Sequence, residues 1–106
     1  MAEKVLLFVG DTAPKRSDMD SIFEKTGDYL RGGDLLFGQL EAVVSDNGAP
    51  ACQSRLPLRI YPSAALCLKK AGFDVMSGAG NHILDWGFEG YYETMRNMRE
   101  AAEIFV

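Results

Sequence analysis

Val5-Leu6-Leu7-Phe8-Val9-Gly10-Asp11 decides how this chain folds. An apolar run without polar alternation, stopped by glycine, fits a strand buried on both faces, as strands of parallel sheets are. It is far too short to span a bilayer or to serve as the apolar part of a secretion signal. Downstream, Ser17 followed by Asp20 resembles a capping box, and the helix it would open places Met19, Ile22, Phe23, Thr26 and Leu30 on one face before Gly32-Gly33 stops it. Asp34-Leu35-Leu36-Phe37-Gly38 reads as a second strand and Phe73-Asp74-Val75-Met76 as a third. Between them lie a polar stretch from Ser45 to Tyr61, with Asn47-Gly48, Pro50 and Pro57, and a helix from Pro62 to Ala71 stopped by Gly72. The polar stretch is long for a loop in a compact domain, which points to a functional role or to ordering by something else. A last helix starts near Trp86 and repeats Phe88, Tyr91, Met95, Met98 and Ala102 at helical spacing. Glu103-Ile104-Phe105-Val106 then reads as the start of a fourth strand.

Strands alternating with helices imply crossover connections and an α/β fold, a mostly parallel sheet with flanking helices. Residues 1–106 read as a single, partial domain. A sheet cut at such a strand has an open edge and an uncovered face, so the expectation is a longer protein or a homo-oligomer.

Composition narrows the classes. The 106 residues carry a formal net charge of −4, the wrong sign for a phosphate-binding footprint, so no nucleic acid is expected. There is no membrane segment. The chain as given reads as cytoplasmic, or as membrane-associated or exported if a leader precedes it. Cys52 and Cys67 match no zinc spacing and read as free thiols in a reducing compartment. Neither a Walker A loop nor a glycine-rich dinucleotide fingerprint is present.

In an open α/β sheet, ligands gather beyond the carboxyl ends of the strands. Gly10-Asp11-Thr12 follows the first strand, Gln39-Leu40-Glu41 the second, and Gly80-Asn81-His82 with Asp85 the third. Each strand thus delivers a carboxylate, carboxamide or imidazole to one rim. Such groups bind hard or borderline divalent cations, which polarise a phosphoryl or carbonyl group and activate water. Gly10 and Gly80 would let the backbone approach closely there.

Each residue also has a plainer reading. Asp11 could cap a turn, Glu41 could be a solvated acid, and Asn81 could be a left-handed turn residue. His82 could be a surface histidine, and Asp85 is favoured as the N-cap of the helix after Trp86, a role compatible with orienting His82. Lys15, Arg16, Arg55 and Arg59 could hold an anionic substrate or simply be solvated. The Met95/Met98 and Tyr91/Tyr92 stripe reads as core packing, and Trp86 as a residue packed beside the loop that excludes water.

At this point the sequence resembles a known family. Phe8-Val9-Gly10-Asp11-Thr12-Ala13-Pro14 looks like the opening glycine–aspartate motif of the CapA family, the capsule and poly-γ-glutamate biosynthesis branch of the calcineurin-like metallophosphoesterase superfamily. Asp34 to Glu41 is similar to that family's segment ending in asparagine-leucine-glutamate. Ala71 to Ser77 followed by Asn81-His82-Ile83-Leu84-Asp85-Trp86-Gly87 resembles its asparagine–histidine loop. The family usually has asparagine where Gln39 stands, and often another where Gly80 stands.

The resemblance implies half of a four-layer αββα sandwich. It implies two divalent metals (Mn, Zn, Fe or Mg) in the complete domain, with Asp11, Glu41, Asn81 and His82 as ligands or metal-side groups. His82 would contact the scissile group or protonate the leaving group, with Asp85 orienting it. The activity implied is a metal-dependent hydrolase of capsule or poly-γ-glutamate metabolism, in which metal-activated water attacks a phosphoester or amide bond of a small-molecule or peptide-like anionic substrate. The family's further histidine ligands lie beyond Val106, so the whole two-metal site is not expected within these residues. The alternative is a catalytically incomplete structural or interaction module that folds as an oligomer.

Overall fold

The computed structural model describes residues 2–106. In chain order the elements are β1 (Leu6–Thr12), a 3-10 turn (Met19–Ser21), α1 (Gly27–Leu30), β2 (Leu35–Leu40), β3 (Val43–Val44), β4 (Arg59–Ile60), α2 (Ala64–Ala71), β5 (Val75–Ser77), α3 (Gly87–Arg96) and a π-helical turn (Asn97–Ala101). β1, β2 and β5 form a parallel sheet in the order β1-β2-β5, and β3 pairs with β4 in a small second sheet, also parallel. The expected α/β architecture, mostly parallel with flanking helices, is therefore present, and it is compatible with half of a sandwich. The fourth strand exists as a single bridge, in which Phe105 pairs in parallel with Val75.

Aspartates set the register where the strands begin. Val5 N donates to Asp34 Oδ2 at 2.7 Å, and Asp34 N returns a bond to Val5 O at 2.8 Å. One strand over, Leu36 N donates to Asp74 Oδ2 at 2.8 Å, and Asp74 N to Leu36 O at 3.0 Å. Each carboxylate takes a strand-end amide that would otherwise lack a partner, which is why an acid sits at the head of two apolar runs.

The sheet is covered on one face only. Leu36, Leu40 and Met76 are buried against Leu68 and Ala71 of α2 and against Met98, Ala102 and Ile104. On the other face the register aligns Phe8, Phe37, Val75 and Phe105 in one row across the strands, and Phe8 is 67% and Phe105 74% exposed. This corrects the expectation that β1 is buried on both faces: Leu6 and Phe8 are exposed while Leu7 and Val9 are half-buried. The helices of the described residues pack on one side, so every second residue of the apolar run stays open.

Two further expectations change. The helix expected from Ser17 to Leu30 is broken into the 3-10 turn and the short α1, and Asp18 stands at the cap position without a side-chain cap bond. Thr26 and Gly27, both weak helix formers, lie at the break. In α3 the core stripe is narrower than the sequence suggests. Thr94, Met95 and Met98 are buried, but Phe88 is 67% and Tyr92 63% exposed, their rings 6.4 Å apart. α3 and the π-helical turn after it act as a neighbour to β3: Val44 N donates to Thr94 Oγ1 at 2.9 Å and Asn97 Nδ2 donates to Val44 O at 2.8 Å. Side chains here replace a missing strand, so the helix turns its polar residues inward. α2 starts two residues later than expected, Pro62 and Ser63 forming a turn before it, and ends at Ala71 as expected, where Gly72 takes the left-handed conformation at φ 105°.

Candidate functional site

The parallel arrangement brings the carboxyl ends of three strands to one rim. Between Phe8 and Asp11 the register slips by one residue, a bulge that places Asp11, rather than Gly10, opposite Gln39. Gln39 in turn pairs with Ser77, so Asp11, Gln39 and Ser77 form one row. Glu41 follows directly, its amide donating to Thr12 O at 3.2 Å. The loop after Ser77 rests against this row: a Cβ on Gly80 would stand 2.5 Å from Gln39 Nε2 and 3.6 Å from Leu40 O. Gly10, by contrast, has open space where its Cβ would be and no positive φ, so the close approach expected there is absent.

His82 and Asp85 face each other across a single turn, closed by the Asp85 N to His82 O bond at 3.0 Å. Their side chains meet at 2.5 Å between His82 Nδ1 and Asp85 Oδ2. Asp85 is buried, its side chain 7% exposed, and its carboxylate takes two more bonds. The Leu58 amide donates to Oδ2 at 2.8 Å and the Ser54 hydroxyl to Oδ1 at 3.2 Å. Burial would push the Asp85 carboxyl up, but the Leu58 amide, the His82 contact and the Ser54 hydroxyl together outweigh it and hold the group below the usual carboxylate range. An ionised Asp85 accepts only, so Nδ1 is the donor in this contact and Nε2 lies outside it.

The N-cap role favoured for Asp85 is not observed. Trp86 occupies the cap position of α3 and no side chain caps it. The carboxylate is committed to His82 and the 45–61 loop instead. Asn81 is exposed and has no positive φ, so it is not a left-handed turn residue.

The sequence-derived residues divide between two cavities. Asn81, His82 and Asp85 line one of about 220 Å³ together with Ala51, Gln53 and Ser54. Asp11 lines another of about 360 Å³ with Thr12, Pro14, Phe23 and Phe73, and Glu41 lines neither. Among the described residues, no three His, Cys, Asp or Glu side chains converge closely enough to hold a metal ion. The donor types suit a divalent cation, and an imidazole held by a carboxylate is how metal-binding histidines are usually oriented. The set is partial all the same, since only Asn81, His82 and Asp85 share a cavity.

Several contributors were invisible in the sequence. Ser54 and the Leu58 amide act only through the folded loop. Its unusual length was the one signal that pointed to it. That loop is pinned from several directions. Ala51 N donates to Asp85 O at 2.7 Å, Ser45 Oγ bonds Glu93, and the Arg59 guanidinium lies 3.6 Å from the Trp86 ring centroid. Gly48, at φ 89°, lets the chain pass so close to Trp86 that a Cβ would stand 2.1 Å from its carbonyl oxygen. Trp86 is packed beside the loop as expected, and Arg59 is committed to its ring. Lys15 lies over the Tyr61 ring at 5.6 Å and Arg16 bonds Ser21. Cys52 and Cys67 are both free; burial, with Asp20 adding, pushes the Cys67 thiol up.

Fold and rim define an α/β protein with polar residues past the strand ends and, in the last of these loops, a half-buried histidine on a buried aspartate. The family model for the bacterial capsule synthesis protein PGA_cap matches residues 5–105, and the chain belongs to that family. It is similar to the uncharacterized proteins y4sH and y4uA of Sinorhizobium fredii (strain NBRC 101917 / NGR234), 36% identical to each over 77% of this chain and 19% of theirs. It is also 27% identical to the capsule biosynthesis protein CapA of Bacillus anthracis, over 81% of this chain and 22% of that one. The chain thus spans about one fifth of the length of these relatives. Among the described residues, no helix is long and apolar enough to cross a membrane.

Proposed function

We propose that this chain supplies the strand-end side of a metal-dependent hydrolase centre of capsule biosynthesis type. The observation that carries it is the 2.5 Å contact between His82 Nδ1 and a buried Asp85. A carboxylate on Nδ1 leaves His82 Nε2 free to ligate a cation, or to accept a proton and return it to a leaving group. Asn81 beside it offers a carboxamide oxygen, while Asp11 and Glu41 stand on the same rim as carboxylate donors. A divalent cation (Mn, Zn, Fe or Mg), one of two in the complete domain, would polarise the substrate and lower the pKa of bound water. The matching substrate is a small-molecule or peptide-like anion with a phosphoester or amide bond. Family membership and the CapA relative support the link to capsule synthesis.

The test is a Mn²⁺ titration of the chain followed by NMR. Paramagnetic broadening should fall first on the His82 ring and the Asn81 carboxamide, and Asp11→Ala should weaken it. Uniform broadening over the acidic surface, with the His82 ring untouched, removes the metal reading.

A second reading is a non-catalytic module that self-associates. The Phe8–Phe37–Val75–Phe105 row, exposed at Phe8 and Phe105, favours it, since apolar sheet faces are normally covered. Light scattering over a concentration series decides it: a monomer throughout counts against this reading.

A further inference from the structure

We infer that the 45–61 loop is a positioning arm for His82, and that Ser54 is its positioning residue. This rests on the reading of His82 as the reacting side chain and adds what holds that side chain in place.

Asp85 is the joint. Its two carboxylate oxygens receive three donors, and two of them come from the loop: Ser54 Oγ on Oδ1 at 3.2 Å and Leu58 N on Oδ2 at 2.8 Å. The third is His82 Nδ1 on Oδ2 at 2.5 Å. A carboxylate can turn about its last bond, and a lone contact to imidazole would leave that rotation free. The two loop donors grip different oxygens and remove it, which fixes the direction of the lone pair offered to His82. The main chain repeats the link, with Ala51 N on Asp85 O at 2.7 Å and Ser54 N on Ala51 O at 3.0 Å. Ser54 is half-buried and lines the same cavity as His82 and Asn81.

A loop that merely packs would need no polar contact to a buried carboxylate. This one carries both the donors that orient Asp85 and part of the cavity wall. It therefore couples the shape of the cavity to the tautomer of the imidazole. Anything that lifts the loop withdraws Ser54 and the Leu58 amide together and releases the Nδ1 proton to redistribute.

The chain contains one histidine, so its imidazole nitrogens can be read without ambiguity. Long-range ¹H–¹⁵N spectra of the metal-free chain, at a pH where imidazole is neutral, should show one dominant tautomer with the proton on Nδ1. Ser54→Ala should lower the ratio of that tautomer to the other by at least about twofold, and Ser54→Thr, which keeps the hydroxyl, should restore it. The backbone amide spectrum reports whether each variant is folded. In the unaltered chain the Leu58 amide should be protected from hydrogen exchange, a readout that needs no variant. An unchanged tautomer ratio in folded Ser54→Ala, or fast exchange at Leu58, overturns the positioning arm. Neither measurement uses metal, so failed Mn²⁺ binding would remove the hydrolase reading and leave this result standing.

Discussion

Gln39 and Gly80 share one volume: a Cβ on Gly80 would stand 2.5 Å from Gln39 Nε2. These are the two positions where the resemblance noted in the sequence leads one to expect asparagine. In the folded chain they are neighbours, so the longer carboxamide on β2 is accommodated by the absence of a side chain in the loop that carries Asn81 and His82. The atom in the way is the end of a flexible side chain. Gly80→Ala should therefore cost only about 1 kcal/mol, and almost nothing in a Gln39→Ala background. Urea denaturation of the two single variants and the double variant measures the coupling. Additive effects would show that the two positions are independent.

Gly48 and Gly10 should respond in opposite ways to alanine. Gly48 has φ 89° and its Cβ would meet the Trp86 carbonyl oxygen at 2.1 Å, a clash with backbone that cannot rotate aside. Gly48→Ala should destabilise the chain by about 3 kcal/mol or more and detach the loop from Trp86. Gly10, although it adjoins Asp11, has no atom within 4 Å of its Cβ position and no positive φ. Gly10→Ala should be neutral, or stabilising by up to about 0.5 kcal/mol, because it restricts the unfolded chain. Thermal or urea midpoints of both variants make the comparison.

Acid should weaken the chain in part through Asp85. Its carboxyl is held below its ordinary value in the folded state, so the unfolded chain takes up the proton first as pH falls. The stabilisation is fully present above the unfolded carboxyl pKa of about 3.9 and fades as pH drops through the lower folded value. Asp85→Asn keeps an oxygen for the Leu58 amide and the His82 Nδ1 proton, and its amide group can donate to the Ser54 hydroxyl, which accepts in turn. Asp85→Asn should therefore fold, with a stability deficit that is largest near neutral pH and shrinks towards pH about 2. Urea midpoints across that range check the slope. A deficit that grows in acid would contradict the assigned direction.

The open sheet face gives a prediction about association. Phe8 is 67% exposed, and its ring meets Phe37 at 5.6 Å between centroids. Phe8→Lys should change stability by no more than about 1 kcal/mol, because little buried area is lost, and should reduce self-association. Leu36→Ala, on the covered face where Leu36 is 2% exposed, should cost about 3 kcal/mol. Light scattering and urea midpoints together separate the two faces.

By itself, the sequence determined the parallel α/β layout and the order in which Asp11, Glu41, Asn81, His82 and Asp85 follow the strands along the chain. Both follow from local signals, since apolar runs, glycine stops and helical spacing act over a few residues and fix the direction of each strand. Only the tertiary structure decided how those groups are used. Asp85 reads locally as a helix cap, yet Ser54 and Leu58, 31 and 27 residues away, take its carboxylate for a different purpose. Phe8 reads as buried, yet burial depends on which elements cover the sheet. Long-range hydrogen bonds and the coverage of a face are set by packing between distant segments, and no short window of sequence carries that information.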